Sequence, residues 1–296
     1  MRRAIVCGPG LKRCAGRSTA RTLELHSVLG WAALAAVVPG VASAERSVRF
    51  AVKGDWGYGS TAQADVSSLM CARNASVPYR FVLTTGDNFY RPDGTATTHN
   101  FDGPERCLIQ ARIPWRATWG NHDVAGSGTA TRLGGTSRWY RFRAGPATVV
   151  VLDANQPNAP SQRSFLERVL AAARQGPLIV ALHQPLYTGG PHAPNVDAQR
   201  QWAPLFRKFH VDLVLQGHNH LYERLRVDGV RYITTGGGGA PVYPCIRSQR
   251  GLERCVPVNH FFEVRASETS ITVTAVQADG NVIERIDESV HDHRSG

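Results

Sequence analysis

A chain of 296 residues with 42% apolar and only 19% charged residues can bury a sizeable core, which excludes a disordered or collagen-like chain. The formal net charge of +11 is carried by scattered arginines, with no basic run interleaved with aromatics, so no nucleic-acid partner is expected. No apolar stretch reaches the ~20 residues that a membrane-spanning helix requires.

The first element in the chain is a targeting segment. Val28 to Val38 is an apolar run preceded by Arg2, Arg3, Lys12, Arg13, Arg17 and Arg21 and broken by Pro39-Gly40. Ala42-Ser43-Ala44 supplies small residues before a cleavage point. Residues 1–44 read as a secretory signal cleaved before Glu45, leaving one domain over 45–296. The expected location is secreted or periplasmic, with no membrane anchor after cleavage. The first 44 residues hold six Lys/Arg and one acid, so the mature chain carries 28 basic residues against 22 acidic ones, a formal +6. That balance favours anionic substrates through long-range attraction. Four cysteines remain, Cys71, Cys107, Cys245 and Cys255, compatible with two disulfides in any of three pairings. Cys245 and Cys255 flank a polar stretch that a disulfide would staple, whereas buried free thiols are an alternative for Cys71 and Cys107.

Beyond the signal, short β-rich runs each end in polar residues. Val48 to Lys53 leads into Gly54-Asp55, Tyr79 to Thr85 into Gly86-Asp87-Asn88, and Trp115 to Trp119 into Gly120-Asn121-His122. Leu178 to Leu182 leads into His183, and Val211 to Leu215 into Gln216-Gly217-His218. Helical spacing appears at Val66, Leu69, Met70 and Arg73, then from Pro160-Ser161 through Phe165, Leu166, Val169, Leu170 and Ala173 to Gly176-Pro177. A third helix carries Trp202, Leu205, Phe206 and Phe209, with Pro204 expected in its first turn or at a kink. From Leu221 onward the pattern is mostly strand, with runs at 231–235, 261–265, 271–276 and 282–286, and the tail His291-Asp292-His293-Arg294 is expected to fray. The chain reads as α/β.

In α/β folds, ligands gather beyond the carboxyl ends of strands. Five strand ends here offer Asp55, Asp87, Asn121, His183, His218 and His220, with Tyr90 three residues after Asp87. Carboxylates, a phenol, an amide oxygen and imidazoles suit iron, manganese or zinc. One such residue is ordinarily a turn former; seven in order read as a metal centre.

Gly54-Asp55-Trp56-Gly57, Gly86-Asp87-Asn88-Phe89-Tyr90, Gly120-Asn121-His122-Asp123, Val180-Ala181-Leu182-His183 and Gly217-His218-Asn219-His220 resemble the five blocks of the calcineurin-like metallophosphoesterases. More narrowly they resemble the purple acid phosphatases, in which Gly57 takes the place of a histidine and a tyrosine stands where Tyr90 does. The small, tartrate-resistant type is the nearest in length. The resemblance implies a β-sandwich flanked by helices with a binuclear metal site at the carboxyl ends of its strands. It implies that Asp87 bridges two ions, that Asp55, Tyr90 and His220 complete the shell of Fe3+, and that Asn121, His183 and His218 hold a divalent metal (Fe2+, Zn2+ or Mn2+). His122 and His192 would face the substrate and supply a proton; Pro191 stands where relatives often carry an acidic residue or histidine.

The implied function is an exported acid phosphatase hydrolysing small phosphate monoesters with a metal-bound hydroxide nucleophile. A Mn/Zn phosphodiesterase or nucleotidase on the same fold is an alternative, and a non-catalytic periplasmic phosphate- or metal-binding protein is one of another class. Asp123, Gln184 and Tyr222 to Arg224 flank ligands and are expected to orient them. Asp153 reads as a turn or supporting residue, and Gly236 to Gly239 as a place where backbone passes close to the site. His99, His210 and His260 match no block and read as structural or surface residues.

Overall fold

The computed structural model describes residues 47–173 and 175–291; the expected secretory signal lies outside them. Two sheets form, their strands numbered here in chain order. The first runs β13 (Val282–Ser289), β12 (Ser270–Gln277), β11 (His260–Ala266), β1 (Val48–Lys53), β2 (Val82–Thr84) and β3 (Trp115–Arg116). The second runs β10 (Leu252–Val256), β8 (Tyr222–Val227), β9 (Val230–Thr235), β7 (Leu213–Gln216), β6 (Leu178–Ala181), β5 (Ala147–Val151) and β4 (Tyr140–Ala144). Strands β1–β2–β3 are parallel and run to one edge of the first sheet, with the antiparallel β11, β12 and β13 on their other side. Strands β5–β6–β7–β9 are parallel and stand at the centre of the second sheet, with antiparallel strands on both sides.

Strand alternation sends successive side chains to opposite faces and so builds three layers of core. Phe50, Val52, Leu83, Val149, Val151, Ile179, Leu213 and Ile233 meet between the sheets, together with Phe262, Val264 and Val273. The intervening residues Val150, Leu152, Val180 and Val214 face outward. They pack against Leu166 and Leu170 of α4 (Pro160–Ala172) and Trp202 and Phe206 of α5 (Val196–Lys208), counting helices in chain order. On the other sheet Ala51, Val82 and Phe261 pack against Val66 and Met70 of α1 (Thr61–Ser76). Helices thus cover the outer face of each sheet.

The helices begin where their chemistry says they should. Ser60 Oγ accepts from Gln63 N (3.0 Å) at the start of α1, and Asn195 Oδ1 from Ala198 N (3.0 Å) at the start of α5. Pro204 lies neither in the first turn nor at an end of α5; the helix runs through it. The ladders of β2 and β3 are much shorter than their apolar runs. Beyond them pairing passes to side chains, Thr118 N donating to Thr84 Oγ1 (3.1 Å), because the backbone is already turning toward the site. At the described end His291 N donates to Asp212 Oδ1 (2.9 Å), and the rest of the tail expected to fray lies outside the described residues. Disulfides join Cys71 to Cys107, tying α1 to the short helix α2 (Arg106–Gln110), and Cys245 to Cys255.

A buried ion pair sits directly below the end of β1. Lys53 Nζ donates to Glu105 Oε1 (2.7 Å), both side chains fully enclosed, over the face of Trp56 (4.4 Å). Removing one partner of such a pair costs about 3–5 kcal/mol.

His260 is structural, as its sequence context implied. Burial pushes its imidazole down to about 4, with Nδ1–H donating to the Val258 carbonyl (2.8 Å). Its neutral form therefore contributes stability in full above the unfolded value of 6.5, and that contribution is lost as pH falls through 6.5 toward about 4. Urea unfolding between about pH 7.5 and about pH 4.5 should cost the wild type up to ~3 kcal/mol more than His260→Phe. Equal losses in the two proteins would contradict this assignment.

Candidate metal centre

Three side chains leave their strands on left-handed backbone: Asp55 with φ 56°, Asp87 with φ 47° and His218 with φ 69°. Non-glycine residues adopt this region at a cost of about 1–2 kcal/mol each, so other contacts must hold them there. Those contacts run within one sheet and between the two. Asp55 N donates to Gly86 O (3.0 Å) and Trp56 N to Asp87 O (3.2 Å), locking the ends of β1 and β2 together. His218 N donates to Asp55 Oδ2 (2.9 Å), and His183 Nδ1 to Thr85 O (2.8 Å).

Two glycines are dictated by close approach. A side chain at Gly57 would place its Cβ 1.7 Å from Asn88 O, and one at Gly120 would meet Asp87 Oδ1 at 2.1 Å. No histidine fits at position 57. The phenol of Tyr90, whose N–H bonds Gly57 O (3.1 Å), reaches the site instead.

All seven candidate ligands converge. Asp87, His183 and His218 offer ligand atoms within 4.8 Å of one another. His183 Nε2 lies 3.3 Å from Asp87 Oδ1 and 3.1 Å from Asn121 Oδ1. Beside this group Tyr90 Oη donates to Asp55 Oδ1 (3.2 Å) and stands 2.9 Å from His220 Nε2, which is 3.4 Å from Asp55 Oδ1. His220 Nδ1 donates to Pro241 O (2.8 Å). Because His183 and His220 both spend Nδ1–H on backbone carbonyls, each aims Nε2 inward, the tautomer a metal ligand needs. Hard oxygens gather around Asp55 and Tyr90 and imidazoles around His183 and His218, so the residues present fit two cations of different hardness.

His122 and His192 are at the mouth. His122 is half exposed; its N–H donates to Asp87 Oδ1 (2.9 Å), and its ring lies 4.5 Å from that of Tyr90. The His192 ring is 4.4 Å from that of His218.

Asn219, given no role by the sequence, grips the His192 loop. Its Oδ1 accepts from His192 N (2.9 Å), while Nδ2 donates to His192 O (3.0 Å) and Thr188 Oγ1 (2.8 Å). Glu223 completes the hold, accepting from Gly189 N (2.6 Å) and Thr188 Oγ1 (2.7 Å). Asp123 orients as expected: buried, it accepts from Gly120 N (2.7 Å), Asn88 N (2.9 Å) and Asn88 Nδ2 (2.9 Å), joining the second and third blocks. Gln184 bonds Asn155 (2.8 Å), which Asp153 positions beneath Gly120. The glycine run also behaves as read, Gly238 N donating to Gly54 O (2.9 Å) and Ala240 N to Asp55 O (2.9 Å).

Electrostatics follow from the packing. Burial opposes ionisation of both Asp87 and His183. Their mutual attraction prevails, holding Asp87 well below the usual carboxylate range and lifting His183 to about 9. His218 is pushed down to about 3 by burial and by the neighbouring histidines, so its lone pair is free. A cation bound at His183 must therefore displace a proton below about pH 9. Titration of Zn2+ or Mn2+ by calorimetry at about pH 6 and about pH 7 should show affinity rising roughly tenfold for that unit, with about one proton released. An affinity independent of pH would contradict the charged His183.

Comparison with known proteins places this geometry. The family model described as calcineurin-like phosphoesterase matches residues 48–222. Tartrate-resistant acid phosphatase type 5 of Homo sapiens is 28% identical over 309 aligned residues, covering 84% of this chain and 95% of the human protein. Purple acid phosphatase 3 of Arabidopsis thaliana is 27% identical over 232 residues, covering 65% and 63%. Among solved structures, the purple acid phosphatase PPD1 of yellow lupin superposes with a TM-score of 0.67 at 15% identity, over 85% of this chain and 55% of the lupin one. GAP50, the anchor in the inner membrane complex of Plasmodium, superposes at 0.71 with 19% identity, over 83% and 90%. At such identities the two structures establish the fold alone.

Proposed function

The chain belongs to the calcineurin-like phosphoesterase family, metal-dependent phosphoester hydrolases, and from that premise we propose that it is an exported acid phosphatase acting on small phosphate monoesters. What supports the reading most is the convergence of seven candidate ligands from five strand ends with two histidines at their mouth. A phosphate- or metal-binding protein would need the ligands but not the proton donor held over them.

In this reading Asp87 would be shared by two cations; Asp55, Tyr90 and His220 would hold Fe3+, and Asn121, His183 and His218 would hold Fe2+, Zn2+ or Mn2+. When bound, the cations supply Lewis acidity toward phosphate oxygens and lower the pKa of water at the site. The chain's own residues do the rest. The Asn219 amide fixes both the N–H and the C=O of His192, so the backbone that carries the imidazole is held without help from substrate. His122, anchored through its N–H to Asp87, binds the phosphate from the opposite block. His192 protonates the departing alkoxide. Partial burial and the nearby His220 hold the His192 pKa below its ordinary value. The protonated form that donates is thus populated at acid pH, and activity falls as pH rises.

The decisive readout combines turnover with colour. After metal loading, the wild type should hydrolyse phosphate monoesters and show a visible phenolate-to-iron band that Tyr90→Phe abolishes. Asp87→Ala should lose metal and at least ~100-fold in kcat/KM. A colourless protein that still turns over esters, diesters fastest, would replace this reading by a divalent-only phosphodiesterase or nucleotidase. Full metal loading without turnover would favour the binding protein.

A further inference from the structure

Two aromatic rings border the centre without belonging to the ligand set. Tyr58 is 49% exposed, the only aromatic among the strongly exposed large apolar side chains of the described residues, and its edge meets the Tyr90 ring at 5.3 Å. Tyr243 stacks on His220 at 4.1 Å with the planes 11° apart and meets His192 edge-on at 5.2 Å. Beside Tyr90 lies a cavity of about 330 Å³ lined by Gly57, Tyr58, Tyr90, Arg91, Thr97 and His99. That is the small end of the range for ligand pockets (~300–1,000 Å³). His99, expected to be structural or superficial, is on its wall.

The Tyr243 ring is built in. Tyr243 N donates to His220 O (2.8 Å), and two residues later Cys245 bonds Cys255. Ile246 N and Arg247 N both donate to Gly189 O (3.0 and 2.8 Å), three residues before His192. The loop bearing the ring and the loop bearing the proposed proton donor are thus one unit. An aromatic ring left partly exposed at the rim of a polar site offers apolar surface and a favourable pairing geometry to an arriving aromatic group. Arg91, the guanidinium on the cavity wall, is already engaged by Asp93 (3.1 Å) and Thr95 (3.0 Å), so the wall favours a neutral group over a second anion.

We propose that Tyr58 and Tyr243 form a leaving-group subsite that selects phosphomonoesters whose alcohol carries a neutral aromatic ring. The proposal rests on the phosphatase reading above and adds the substrate class. Benzyl phosphate and cyclohexylmethyl phosphate test it, since both release a primary alkoxide of similar size and differ in the ring alone. An aromatic pair contributes about 2- to 12-fold, so kcat/KM for the benzyl ester should exceed the other by about fivefold. Tyr58→Ala and Tyr243→Ala should each bring the ratio toward one, whereas Tyr58→Phe and Tyr243→Phe keep it. A wild-type ratio near one, or a ratio unmoved by both alanine variants, overturns the subsite and leaves the phosphatase reading intact. Calorimetry with benzylphosphonate and cyclohexylmethylphosphonate, which the protein cannot hydrolyse, separates the two claims. Equal affinities overturn the subsite whatever the turnover, while ring preference without turnover of either ester sustains the subsite and overturns the hydrolase reading.

Discussion

Asp55, Asp87 and His218 leave their strands through left-handed backbone, and the rest of the molecule is arranged to keep them there. Each turn is costly for a residue with a Cβ, and each is held by a partner on another strand end rather than by its own neighbours. The parallel order β1–β2 in one sheet and β6–β7 in the other brings those ends to a common edge. The cross-sheet bonds from His218 N to Asp55 and from His183 to Thr85 then make the two edges a single object. Large apolar side chains between the sheets fix their separation, and the positions of the candidate ligands follow.

Fixing the ligands from so many elements has an electrostatic consequence. The buried carboxylates face imidazoles and a phenol, Asp87 beside His183 and Asp55 beside His220 and Tyr90. Protons on the imidazoles compete with a cation at low pH, while donors held by so many contacts need not search for their positions.

Much of this was legible in the sequence, and the reasons are local. A β-rich run that ends in Gly-Asp or Gly-His declares both a strand and the polar turn after it, so the five strand ends and all seven candidate ligands could be read in order. The helices α1, α4 and α5 were equally plain from their apolar spacing. What escaped depends on distant partners. Asn219 lies between two ligands, and nothing in the sequence says that its amide reaches a loop 27 residues earlier. Tyr243 is an aromatic in a Pro-rich stretch until the fold stacks it on His220. Lys53 at the end of β1 and Glu105 at the start of α2, 52 positions apart, form their buried pair only when the fold brings those two elements together. The pairing of Cys71 with Cys107 was open for the same reason.

The account stands on the claim that these seven side chains hold two cations sharing Asp87. Elemental analysis of the purified chain by mass spectrometry, after loading and exhaustive dialysis, tests it most directly. Two equivalents of metal per chain, one of them iron, is the expected result. A plateau at one equivalent, or a second equivalent that dialyses away freely, would contradict the shared centre.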